Sequence, residues 1–170
     1  MRENALPPLV RRLLEANARY VAGEPQIPRD AVPKARLAVV TCMDVRIDPL
    51  PLLGLRLGEA HVLRNAGARI TDDVLRSLVI SQQALGTNAV VVLPHTLCGV
   101  LGLDVTGLKP HPGTPRQAVP TLDFHPMEDL EAALAQDLRL LRESPWILPG
   151  VEIHGFILDI DTGALLPRSA

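Results

Sequence analysis

Leu37-Ala-Val-Val-Thr-Cys-Met-Asp-Val-Arg46 is an apolar run that empties into a thiol, a carboxylate and a guanidinium at alternate positions: Cys42, Asp44 and Arg46. A short Val-rich run reads as a strand buried on both faces, and buried parallel strands present their functional groups at their carboxyl ends. The triplet is therefore expected at the C-terminal edge of a sheet. Ala89-Val-Val-Val-Leu-Pro94 repeats the design and empties into His95-Thr-Leu-Cys98. Cys42, His95 and Cys98 together offer two thiolates and an imidazole, a zinc ligand set. Three protein ligands leave a fourth position open, which separates a catalytic zinc from a structural one.

The rest of the composition narrows what such a site can serve. At 170 residues and 47% hydrophobic content, one domain spanning residues 1–170 is expected. The 17 basic and 19 acidic residues are interspersed, with a net charge of -2, so no polycationic surface for nucleic acid is expected. The aromatic residues are Tyr20, Phe124, Trp146 and Phe156, so there is no base-stacking platform and the core must be Leu, Val, Ile and Ala. Met1-Arg-Glu-Asn-Ala-Leu-Pro-Pro lacks an apolar signal region, and no run approaches the roughly 18 apolar residues of a membrane span. A cytoplasmic protein with no membrane partner is expected. In a reducing compartment, two cysteines serve metal binding or catalysis more often than a disulfide.

Periodicity assigns the remaining elements. Leu6, Leu9, Val10, Leu13, Leu14, Ala18 and Val21 recur at helical spacing and Gly23 with Pro25 closes the segment, giving an N-terminal amphipathic arm over about residues 4–23. Asp48 to Leu57, with Pro49, Pro51 and Gly54, allows at most a short helical turn. Ala60 to Leu63 reads as a short strand that exits through Arg64-Asn65-Ala66-Gly67, where glycine lets the backbone go where side chains cannot. Thr71 is an N-cap for a helix that Gly86 ends. Leu101 to His125, rich in Gly and Pro, reads as a long surface loop carrying His111 and His125, candidates for a proton relay. Met127 to Glu143 is a second strong helix, with Leu130, Ala133, Leu134, Asp137, Leu138 and Leu141 near one stripe. Val151 to Ile160 is a strand, and Asp161-Thr-Gly163 turns the chain into Ala164-Leu165-Leu166 as a hairpin. The predicted fold is α/β, with a mostly parallel central sheet of four strands plus an antiparallel edge strand, flanked by helices.

Cys42-x-Asp44-x-Arg46, Arg64-Asn65-Ala66-Gly67 and His95-x-x-Cys98, in this order on a βα framework, resemble the small prokaryotic type of beta-class carbonic anhydrase. Each motif alone is weak; the two ligand motifs at strand ends about fifty residues apart are strong together. Arg142-Glu-Ser-Pro-Trp146 and Gly155-Phe-Ile-Leu-Asp-Ile-Asp-Thr-Gly163 extend the resemblance to the C-terminal part. It implies a homodimer or higher homo-oligomer in which the N-terminal helix reaches over the partner, with the active site near that interface. It also implies an Asp44–Arg46 dyad, in which Asp44 either hydrogen-bonds zinc-bound water or occupies the fourth zinc position at rest. The chain departs from common relatives at Leu97, where a charged or polar residue is frequent, and at Pro94, where a smaller or polar residue is usual; neither is a ligand, so the pocket wall is what changes.

The expected reaction is attack of zinc-bound hydroxide on carbon dioxide to give bicarbonate, catalysed by a zinc lyase with Asp44 and Arg46 orienting or gating the fourth position. Asn65, Ala66, Gly67 and Gly99 are the expected substrate-pocket residues. Carbonyl sulfide or carbon disulfide hydrolysis on the same site is the nearest alternative, because the same nucleophile attacks either carbon. A non-catalytic zinc-binding module is a third. A nucleotide binder is disfavoured, since no strand is followed by Gly-x-Gly-x-x-Gly or Gly-x-x-x-x-Gly-Lys.

Overall fold

The structure, a computed structural model, describes residues 6–112, 115 and 122–168. Five strands, β1 (Leu37–Cys42), β2 (Ala60–Asn65), β3 (Ala89–Leu93), β4 (Glu152–Leu158) and β5 (Leu165–Arg168), form one sheet in the order β2-β1-β3-β4-β5. The first four strands run parallel and β5 pairs antiparallel to β4, with Leu158 opposite Leu165. This is the predicted sheet. The chain steps outward from β1 to β2, then returns across it to β3, so the order reverses between β1 and β3. In open α/β sheets that switch point opens a crevice at the strands' carboxyl ends, where ligands bind.

The helices are α1 (Pro8–Ala22), α2 (Pro49–Leu52), α3 (Asp72–Gln83) and α4 (Leu130–Glu143). The Thr71 hydroxyl caps α3 by accepting from the Val74 amide, and Asp72 and Asp73 lie at the positive end of its dipole. Helices α3 and α4 cover the sheet face formed by Ala38, Val40, Val90 and Val92, contributing Val74, Leu78, Leu134, Leu138 and Leu141. Leu78, Leu138 and Leu141 are wholly buried, and each such side chain contributes roughly 1.5–3 kcal/mol relative to exposure. A second cluster, containing Ile47, Leu93, Met127 and Leu158, surrounds the ends of the strands and includes Cys42 and Cys98.

Several boundaries shift from the expectation, each for a visible reason. Strand β2 runs on to Asn65 because Arg64 and Asn65 stay in register with Thr41 and Cys42. Helix α4 begins at Leu130 rather than Met127, since the Asp129 carboxylate accepts from the Ala132 amide as N-cap and Met127 bridges to Leu101. The N-terminal arm is helical over Pro8–Ala22, and its expected first residues, 4 and 5, lie outside the described ones. None of the α1 residues is buried. Among the described residues no helix is long and apolar enough to cross a membrane.

Candidate metal centre

Cys42 ends β1, and His95 and Cys98 follow β3, so the two arms of the site flank the switch point. The ligand atoms of the three residues lie within 4.8 Å of one another and all three residues are buried. The segment after β3 is tied to the end of β4: the Leu158 amide donates to the Pro94 carbonyl (2.9 Å), the Thr96 amide to the Leu158 carbonyl (2.9 Å), and the Ile160 amide to the Thr96 hydroxyl (3.0 Å). His95 is thereby fixed by backbone on both sides. Its Nδ1–H donates to the Thr96 carbonyl at 2.8 Å, which leaves Nε2 as the lone-pair nitrogen. That Nε2 is buried and has no hydrogen-bond partner.

A buried, orphaned imidazole nitrogen beside two thiols is what a metal would satisfy. The two sulfurs are 3.9 Å apart, whereas thiolates bound tetrahedrally at the usual zinc–sulfur length stand about 3.8 Å apart. Burial pushes the Cys98 thiol up; the hydrogen bond from Val100 opposes this and the neighbouring Cys42 adds to it. A bound dication reverses that balance by deprotonating its thiol ligands. The donor set, spacing and tautomer fit zinc.

Asp44 and Arg46 sit over this centre. Arg46 Nε donates to Asp44 Oδ1 (2.8 Å) and Nη2 to Oδ2 (2.7 Å), while the Arg46 amide adds a third bond to Oδ1 (3.0 Å). These hydrogen bonds, the side-chain ones first, hold the Asp44 carboxyl well below the usual carboxylate range. Asp44 Oδ2 lies 3.6 Å from His95 Nε2, so the carboxylate edge faces the ligand atoms without belonging to their group. Arg46 Nη2 also donates to the Leu97 carbonyl (3.0 Å), where Leu97 adopts a left-handed backbone (φ 52°). The dyad thus also braces the His95–Cys98 turn.

Of the other expected residues, Asn65 ends β2, Ala66 and Gly67 form the 3-10 turn that follows it, and Gly99 follows Cys98. Gly67 has φ 79°, and a Cβ there would stand 3.1 Å from Val100 Cγ2, whereas one at Gly99 would meet nothing within 4 Å. The Gly67 turn is therefore packed closely against Val100, whereas Gly99 borders open space. Asn65 spends its side-chain amide on Arg69, accepting from its N–H (2.9 Å) and donating to its carbonyl (2.7 Å). The expected loop over 101–125 carries a 3-10 turn at Val105–Gly107, and its residues 113–114 and 116–121 lie outside the described ones; His111 precedes them and His125 follows, beside Asp123 at 3.8 Å. Sequence reading gave no role to Arg64, which donates to the Cys42 carbonyl (3.0 Å) and the Asp44 carbonyl (2.6 Å). The one sequence signal was its place at the head of the Arg64-Asn65-Ala66-Gly67 motif; its partners follow from the strand register, which sets it opposite Thr41.

Fold and site define a class: an α/β protein with a buried Cys-His-Cys cluster that could hold a metal ion at the switch point of a parallel sheet. The family model described as carbonic anhydrase matches residues 37–123. The chain is 38% identical over 152 residues to beta-carbonic anhydrase 1 of Mycobacterium tuberculosis, covering 89% of this chain and 93% of that protein. It is 33% identical to a carbon disulfide hydrolase of Acidithiobacillus thiooxidans, over 78% of this chain and 76% of that one. The crystal structure of a carbonic anhydrase from Streptococcus mutans superposes with a TM-score of 0.80 at 39% identity, covering 96% of this chain and 99% of the other. The chain belongs to the beta-class carbonic anhydrases, a family of zinc lyases.

Proposed function

We propose that this protein catalyses the reversible hydration of carbon dioxide to bicarbonate at a zinc ion held by Cys42, His95 and Cys98. The observation that carries the reading is the orphaned His95 Nε2 between two buried thiols, with an ionised carboxylate 3.6 Å away. Zinc supplies there a lowered pKa for water, and so a nucleophile at ordinary pH. Two thiolates and a neutral imidazole cancel the dication's charge, so the surrounding residues matter more than around a three-histidine site. Arg46 keeps Asp44 ionised and holds its plane fixed through the two-pronged bond. Asp44, 3.6 Å from His95 Nε2, would accept a hydrogen bond from the water delivered there and so orient it toward the substrate carbon. A carboxylate held this acidic is a poor base, so the released proton passes to solvent buffer rather than to Asp44.

Asn65, Ala66, Gly67 and Gly99 form the wall of the substrate pocket in this reading, with Asn65 acting through the turn it braces and Gly99 leaving room for a small linear molecule. The same nucleophile and wall suit carbonyl sulfide or carbon disulfide, and the 33% identical carbon disulfide hydrolase makes sulfur substrates the second reading. Steady-state rates of the zinc-loaded protein on the three substrates separate the two: the highest kcat/KM is expected on carbon dioxide. Turnover of a sulfur substrate without carbon dioxide hydration would replace the first reading by the second.

We further propose a homodimer in which α1 packs on the partner. Support comes from the helix itself: Leu9, Leu13, Leu14 and Val21 repeat at helical spacing yet are 54–60% exposed, an apolar stripe that a single chain leaves in water.

A further inference from the structure

Arg69 lies just beyond the Gly67 turn, touches none of the proposed metal ligands, and is 6% exposed. Its Nε–H donates to Asp137 Oδ2 (2.7 Å) and Nη2 to Asp137 Oδ1 (3.4 Å) and Gln136 Oε1 (3.1 Å), all on α4. Its Nη1 donates to the carbonyls of His125 (3.1 Å) and Pro126 (3.4 Å), where the long loop returns. The five N–H donors of the guanidinium are all used, and Asp137 is itself 3% exposed. Two residues around this guanidinium, Ala68 (φ 59°) and His125 (φ 47°), hold left-handed backbones without being glycine, a conformation that persists only where surroundings impose it.

From this hub the contacts lead straight to the metal centre. Next to Pro126, Met127 accepts from the Gly102 amide (2.8 Å) and bridges to Leu101. Val100, one residue earlier, hydrogen-bonds Cys98 through its backbone and packs where a Gly67 Cβ would stand. We infer that Arg69 is a positioning residue: it pins the Gly67 turn and the loop's return to α4, and so sets the spacing between the pocket wall and the Cys98–Val100 turn. The inference rests on the reading of Cys42, His95 and Cys98 as the catalytic centre.

Two variants test it. Arg69→Lys keeps the charge and loses the fork. The double variant Arg69→Met/Asp137→Leu replaces the ion pair by apolar side chains, an exchange that buried pairs often tolerate without loss of stability. In both, hydrogen exchange at the Gly102 amide is expected to quicken about tenfold as the loop's return is freed. At unchanged zinc per folded chain, kcat/KM should fall about tenfold through a raised KM. A residue needed only for folding would lower apparent kcat by reducing the folded fraction, with KM unchanged. Unchanged Gly102 exchange, or a KM equal to the parent's, overturns the inference. A parent protein that does not hydrate carbon dioxide overturns the proposed function instead, and Gly102 exchange then decides on Arg69 by itself.

Discussion

At the scale of single residues, Asp44 and Arg46 carry the finest balance. Asp44 has a depressed carboxyl pKa in the folded protein, set first by the Arg46 side-chain hydrogen bonds. The stabilisation from the pair is fully present above the unfolded carboxylate value of about 3.9 and is lost as pH falls through the lower folded value. Asp44 therefore stays ionised from neutral to alkaline pH and does not gate the reaction by titrating. Asp44→Asn is expected to retain zinc by metal analysis and to lose about 10–100-fold in turnover, the usual range for groups that orient the contents of a metal site; undiminished turnover would remove Asp44 from the mechanism. Arg46→Ala should act differently. Without the guanidinium the Asp44 carboxylate would be free to reach an ion held by Cys42, His95 and Cys98 and block it, so activity should fall more at neutral than at alkaline pH. An equal loss at every pH in a stopped-flow series would contradict that block.

At the scale of elements, the close seat of α4 on β4 depends on Gly155. A Cβ there would stand 2.6 Å from Leu138 Cδ1 and 3.4 Å from the Arg168 carbonyl, with Leu138 wholly buried. Gly155→Val is expected to destabilise the fold by about 1–3 kcal/mol through overpacking, read from the midpoint of urea denaturation; an unchanged midpoint would mean that α4 shifts freely. The strands and their functional ends were legible in the sequence because a strand buried on both faces must be an unbroken apolar run, and the polar residues that interrupt it mark where the sheet ends. Cys42, His95 and Cys98 stood out for that reason, and they converge because β1 and β3 are neighbours. The brace around them was not legible. Arg64 and Arg69 act through partners set by strand register and by α4, and Arg69 and Asp137 lie 68 positions apart. Asp137 did leave a trace: it falls on the apolar stripe of α4, and a carboxylate placed there requires a buried cation or donor. The sequence does not say which arginine answers it.

At the scale of the whole molecule, the sheet with α3 and α4 closes one buried cluster and the strand ends a second, while α1 stands apart with no buried residue. The proposed dimer gives that helix its counterpart. Leu13, 58% exposed on the apolar stripe, is the most economical place to test it: Leu13→Glu should shift the molecule from dimer to monomer in light scattering while leaving the far-ultraviolet spectrum of the folded chain in place. A parent protein that is monomeric at micromolar concentration would contradict the assembly. The central claim, a metal centre that hydrates carbon dioxide, is tested most directly by stopped-flow carbon dioxide hydration on protein of assayed zinc content, from near neutral to mildly alkaline pH. Turnover is expected to be proportional to bound zinc and to climb with pH. Full zinc occupancy with no hydration at any pH would contradict it.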